Sequence, residues 1–175
     1  MNVYRSCIRL FPNSHLPHLY IGMEYTRINS LKTAFLSFEQ AKSLVGADPI
    51  VYNEIACIYL KEKKYTEAKK MFNEALRNCR SDGILWLKHS ILNNLANTHR
   101  KYKEYSKAIE NYEESLKLYP NDPSVLFSLA FCYHLTWNLE KAIVLYHKVV
   151  VSKHDCHFVN HMLLRCLSDL SNSVN

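Results

Sequence analysis

Apolar and polar positions alternate along this chain with the period of a helix, and the alternation itself recurs at a longer interval. Ala34, Ala68, Ala108 and Ala142 stand 34, 40 and 34 residues apart. Four residues after each come Phe38, Phe72, Tyr112 and Tyr146, and three further on Ala41, Ala75, Ser115 and Val149. Thirteen before each marker stand Ile21, Ile55, Leu95 and Leu129, followed by Gly22, Ala56, Ala96 and Ala130. Nine before it stand Tyr25, Tyr59, His99 and Tyr133. Small residues fall where two helix backbones must approach, and large ones fill the space beside them. The pattern therefore predicts antiparallel helix pairs, four copies in one register.

Within that register the spacing predicts helices over Asn2–Leu10, Leu16–Ile28, Leu31–Leu44, Pro49–Lys61 and Tyr65–Arg80 in the first half. Leu85–Lys101, Tyr105–Tyr119, Pro123–Leu135, Leu139–Ser152 and His157–Leu170 follow. The polar tail from Ser171 to Asn175 is expected to fray. All five prolines fall at junctions between copies. Asp48-Pro49 and Asp122-Pro123 place a capping carboxylate before a first-turn proline, which has no amide hydrogen to leave unpaired. Asp155 suits the same role for the last helix. Gly46 and Gly83 lie between copies, and Gly22 sits at a tight crossing. The 40-residue step is six longer than its neighbours, and the extra residues lie around Gly83.

This pattern resembles the tetratricopeptide repeat, or TPR. The resemblance implies an all-α TPR solenoid, a right-handed superhelix of antiparallel helix pairs, forming a single domain over residues 1–175. Its parts are a half repeat over 1–12, repeats over 15–48, 49–88, 89–122 and 123–156, and a capping helix over 157–170. Pro12 occupies the repeat position of Pro120, so the chain opens on the second helix of a pair. Val3, Cys7, Ile8 and Leu10 are then expected to form an uncovered apolar face, a candidate interface.

Composition adds little that conflicts. The chain is 48% hydrophobic and 22% charged, an ordinary globular balance, and only 3 Gly argue against a loop-rich chain. Net charge is +6, but Lys and Arg are spread over the helices with no block of five like charges. Neither nucleic acid nor membrane is expected as a partner. None of the six Cys forms a CxxC pair, the usage of a reducing compartment. No signal peptide or bilayer-length apolar run is visible, so nuclear and cytoplasmic localisation is expected.

Helix pairs stacked in this way leave an inner groove lined by the first helix of each pair. The flank opposite the core positions carries Leu19, Met23 and Arg27, then Asn53, Cys57 and Lys61. Further along it carries Asn93, Asn97 and Arg100, then Phe127, Phe131 and His134, then Phe158, His161 and Arg165. Asn side chains can pair with a bound peptide's backbone, and Arg100 can hold a carboxylate or carbonyl. The phenylalanines offer an apolar anchor. The competing reading is that they pack against neighbouring repeats and the Asn residues meet only water. A known TPR variant grips the C-terminal carboxylate of chaperones with Lys and Asn on its first helix; here Leu19 and Met23 stand in those places.

Enzymatic chemistry finds little support. His157 and His161 are four apart, a zinc-compatible spacing beside His154 and Cys156, but no CxxC or carboxylate pattern completes a site. No nucleophile elbow, phosphate loop or dinucleotide fingerprint is present. No cofactor, metal or catalytic residue is expected.

Four phrases narrow the family: LFPNSHLPHLYIGMEY, DPIVYNEIACIYL, ILNNLANTHRKYKEYSKAI and SLAFCYHLTWNLEKAI. They resemble the C-terminal TPR block of subunit six of the anaphase-promoting complex, over Leu10 to about Leu167. That resemblance implies a scaffold subunit of a ubiquitin ligase acting in the cell cycle. Its groove would wrap the N-terminal segment of a small accessory subunit, with Asn93, Asn97, Arg100, His134 and Phe158 in contact. Ala96 and Ala130 replace family glycines at the helix crossing. The family dimerises through repeats nearer its N-terminus that have no counterpart here, which leaves homodimerisation open. The alternative is a generic TPR adaptor or co-chaperone-type peptide-binding module.

Overall fold

The computed structural model describes residues 2–79, 84–152 and 157–174. Among them every regular element is a helix. In order they are α1 (Asn2–Leu10), α2 (Leu16–Arg27), α3 (Leu31–Val45), α4 (Pro49–Lys61) and α5 (Tyr65–Asn78). After these come α6 (Leu85–Lys101), α7 (Tyr105–Leu118), α8 (Pro123–Leu135), α9 (Leu139–Ser152) and α10 (His157–Val174). Arg80, Gly83 and Asp155, and with them the middle of the insertion and the proposed cap of α10, lie outside the described residues.

One expectation is overturned at the C-terminus. Residues 171–174 are helical and continue α10 rather than fraying. Ser171 and Ser173 return their hydroxyls to the carbonyls of Ser168 and Leu170, at 2.8 and 2.7 Å, while Leu170 packs on the core behind them. Back-bonding of this kind lets serine sit within a helix.

The caps form as their residues require. Asp48 Oδ1 accepts from the amide of Ile50 at 2.7 Å, and Asp122 Oδ1 from those of Ser124 and Val125 at 2.8 and 3.2 Å. The turns inside the pairs share a device not anticipated from the residues. Asn29, Lys63, Lys103 and Trp137 all have φ near +60°. They occupy one repeat position. The residue after each donates its amide to a carbonyl five back: Ser30 to Tyr25, Lys64 to Tyr59, Glu104 to His99 and Asn138 to Tyr133, at 2.8–2.9 Å. This is the helix-ending geometry that glycine usually supplies, here made without glycine.

The described chain divides into two compact units, residues 1–87 and 88–175. In the first, Leu19, Ala34, Phe38, Ala41, Val51, Ile55 and Ile58 form the core. Gly22 is required there. A Cβ at that position would overlap the fully buried ring of Phe38. Helix α1 packs on α2, with Tyr4 stacked on Tyr20 at 6.0 Å. On α1, Val3 and Leu10 are exposed and Cys7 and Ile8 half-buried.

In the second unit Ala96, Ala108, Tyr112, Val125, Leu129, Ala130, Tyr146 and Cys166 belong to one core that α10 closes. The small and large rows of the repeat thus supply both interiors, as close packing of paired helices demands.

Candidate functional site

The expected groove residues behave differently in the two units. In the first, Leu19 was expected on the open flank but is buried at 3% exposure, because α2 meets both α3 and α4 and that flank is closed. Asn53 is also buried, with its Nδ2 donating to Glu54 Oε1 at 3.1 Å. Burial, partly offset by that bond and by Lys61, raises the Glu54 carboxyl above its usual range. Met23 is half-buried against the core. Leu19 and Asn53 are thus packing residues, while Met23 keeps part of its side chain exposed.

The second unit carries a built surface. On α6, Asn97 Nδ2 donates to Asn93 Oδ1 at 3.3 Å, one helical turn away. Asn97 Oδ1 in turn accepts from the Tyr112 hydroxyl at 2.8 Å and from Arg100 Nη2 at 3.3 Å. Arg100 Nε also reaches the Tyr112 oxygen, at 3.4 Å. Burial pushes the Tyr112 phenol up to about 12, against the pull of Arg100, so it remains a hydroxyl donor at neutral pH. The result is a polar rung anchored on a core tyrosine. Among the described residues no carboxylate pairs with Arg100, although it is half-buried.

Beside the rung lies an aromatic hollow of about 180 Å3, lined by Arg100, Phe127, Ser128, Phe131 and Phe158. Phe127 stacks with Phe131 at 6.4 Å and tilts against Phe158 at 5.6 Å. The Arg100 guanidinium carbon stands 5.6 Å from the Phe131 ring centroid, within cation–π range. Phe158 remains 61% exposed and so presents a large apolar surface at the mouth.

His134 is held elsewhere. Its Nε2 lies 2.8 Å from Asp169 Oδ2, tying α8 to α10, and its ring meets Tyr146 edge-on. His161 is exposed on α10 and joins neither group. Within the second unit the structure thus brings together Asn93, Asn97, Arg100, Phe127, Phe131 and Phe158 and leaves His134 and His161 apart, while Leu19, Met23 and Asn53 belong to the first unit.

Two tyrosines belong to this description that side-chain spacing alone assigned to the core. The partner row through the four copies reads Met23, Cys57, Asn97, Phe131, and the aromatic row reads Phe38, Phe72, Tyr112, Tyr146. Tyr112 meets Asn97. Tyr146 has Phe131 at the equivalent place, and its buried hydroxyl has no hydrogen-bond partner among the described residues. Burial drives that phenol far above its usual range. The substitution of Tyr for Phe in this row was the available signal for the rung.

Burial pushes the Cys57 thiol up to about 12 and Cys132 to about 11, which keeps both protonated at neutral pH. Among the described residues no group of three His, Cys, Asp or Glu is placed to hold a metal ion, and His154 and Cys156 lie outside them. No described helix is long and apolar enough to cross a membrane.

Comparison with known proteins agrees with the repeat geometry. The tetratricopeptide repeat model matches residues 48–121. Anaphase-promoting complex subunit 6 of Arabidopsis thaliana is 40% identical over 169 residues, covering 97% of this chain and 31% of that protein. Cell division cycle protein 16 homolog of Homo sapiens is 31% identical, covering 95% of this chain and 27% of its own length. The chain therefore spans under a third of these relatives. Among solved structures, the APC/C hetero-tetramer Cut9-Hcn1 superposes with a TM-score of 0.86 at 25% identity, over 95% of this chain and 32% of the matched one. From its repeat register, its all-helical fold and these relatives together, the chain is a tetratricopeptide-repeat protein, similar over nearly its whole length to part of subunit six of the anaphase-promoting complex.

Proposed function

We propose that the chain is a non-catalytic scaffold segment of the anaphase-promoting complex, working in nucleus and cytoplasm. In this reading the polar rung and aromatic hollow of the second unit hold the N-terminal segment of a small accessory subunit. The observation that carries the reading is the near-complete coverage of this chain by subunit 6 of Arabidopsis thaliana at 40% identity. The Cut9-Hcn1 hetero-tetramer, part of which this chain superposes on, contains a second kind of protein, which supports a protein partner here.

The chemistry of the surface supports a peptide occupant. Asn93 keeps its amide donor free of described partners, and Arg100 keeps Nη1 free, so both can meet backbone carbonyls or a carboxylate. The hollow beside them takes an apolar side chain, and an anchor sunk among aromatics is where binding energy concentrates.

The test is affinity capture of the full chain from a native extract, with mass spectrometry of what is retained. Recovery of other ligase subunits is expected, together with weaker retention of the small accessory subunit by an Asn93→Ala/Asn97→Ala variant of unchanged helical content. Absence of ligase subunits would overturn the scaffold reading. Equal retention by the variant would overturn the assignment of the rung.

A further inference from the structure

A second concave surface lies on the other flank of α8. Successive helical residues turn by about 100°, so Leu129 and Tyr133 project away from Phe127 and Phe131. With residues of α7 and α9 they line an open notch of about 460 Å3, within the volume range of sites that accept a small-molecule-sized group. Its floor is apolar, formed by Leu129 and Leu145. Its lip is Val144, which is 55% exposed on α9.

Tyr133 links the three helices of the wall. Its hydroxyl donates to Glu113 Oε1 at 2.6 Å, bracing α8 against α7, and Lys141 Nζ lies 5.2 Å from its ring centroid, bracing α9. Charge around the floor is unbalanced. Glu113 and Glu140 both line the notch, and among the described residues neither forms an ion pair. The ammonium of the lining, on Lys141, sits over the tyrosine face and offsets one of the two carboxylate charges, which leaves the lining net acidic. One oxygen of Glu113 and both of Glu140 remain available. The protein as a whole carries a net charge of +6, so this acidic edge around an apolar floor runs against the general balance.

We propose that this notch docks an arginine of a partner protein, flanked in that partner by an aliphatic residue that covers Val144. The arginine stem lies on Leu129 and Leu145 while its guanidinium meets Glu113 and Glu140. A guanidinium suits the place because it is weakly hydrated and its fork offers several donors to two carboxylates. The site shares no residue with the polar rung or aromatic hollow, so it stands or falls independently of the function proposed above.

The experiment is an NMR titration of the full chain with Ac-Ala-Leu-Arg-Leu-Ala-NH2, and with the same peptide carrying citrulline for arginine. Saturable shifts at Glu113, Tyr133 and residues 140–145 are expected. The citrulline peptide and the Glu113→Gln and Glu140→Gln variants should each weaken Kd by about two- to fivefold, as for exposed ion pairs. The amide oxygen that Glu113→Gln introduces still accepts from the Tyr133 hydroxyl, so that variant should melt with the parent. Shifts centred on Asn93, Asn97 or Phe158, equal affinity for the citrulline peptide, or no saturable shift would each overturn the proposal.

Discussion

The imidazole Nε2 of His89 stands 3.0 Å from Asp122 Oδ2, so one carboxylate serves two structures at once. Its other oxygen caps α8, while His89 Nδ1 lies 2.8 Å from the Ser115 hydroxyl of α7. The same arrangement recurs in the first unit, where His15 Nε2 stands 3.0 Å from Asp48 Oδ2, also 33 residues on. The capping aspartates are thus also latches between successive helix pairs.

Replacing Asp122 with Ala should lower stability by about 1 kcal/mol at neutral pH, the usual cost of losing an N-cap. The dependence on pH follows from the carboxyl. Burial acts to raise its pKa, but the bonds from His89 and the Val125 and Ser124 amides outweigh burial and hold it below the usual range. A depressed folded-state pKa stabilises fully above the unfolded value of about 4. The charge-dependent share is lost as pH falls through the folded value. Urea denaturation of parent and variant at pH 7, 5 and 3 should show the gap narrowing only at the lowest pH; a constant gap would mean the charge contributes nothing.

Tyr112 and Tyr146 occupy one repeat position and should respond oppositely to the same change. Tyr112→Phe removes a hydroxyl bonded to Asn97 and Arg100 and should cost about 1 kcal/mol. Tyr146→Phe removes a buried hydroxyl without a partner and should leave stability unchanged or raise it by up to about 1 kcal/mol. Chemical denaturation of both variants checks the contrast, which fails if Tyr146→Phe is the more damaging.

Gly22→Ala should destabilise the first unit by about 1–3 kcal/mol, the range for overpacked interiors. The added methyl would overlap the Phe38 ring, which is fully buried. Recovery of the parent melting temperature by Gly22→Ala/Phe38→Leu would identify that contact as the cause.

The left-handed turn residues point the other way. Lys63 and Lys103 are exposed and hold φ of 61° and 64°. Relief of the Cβ clash there is worth about 1–2 kcal/mol and the entropy of glycine costs about 0.5–1 kcal/mol. Lys63→Gly and Lys103→Gly should each therefore gain about 0.5 kcal/mol. A lower denaturation midpoint in either variant would contradict that balance.

Helix pairing, repeat register, the two aspartate caps and the crossing at Gly22 were legible in the residues alone. Each is local or periodic, and the period of a helix converts spacing directly into a face. Which flank stays open was not legible. Leu19 and Asn53 lie at positions equivalent to Asn93 and Phe127, yet they are closed in by their neighbours, because exposure depends on what packs across a flank. Hydrogen bonds across 15 to 33 residues, such as Tyr112 to Asn97 and His89 to Asp122, likewise exist only once helices are docked. The rung, the hollow and the acidic notch were decided by tertiary packing, because side chains remote in the chain meet only after the backbone has brought them within a few ångströms.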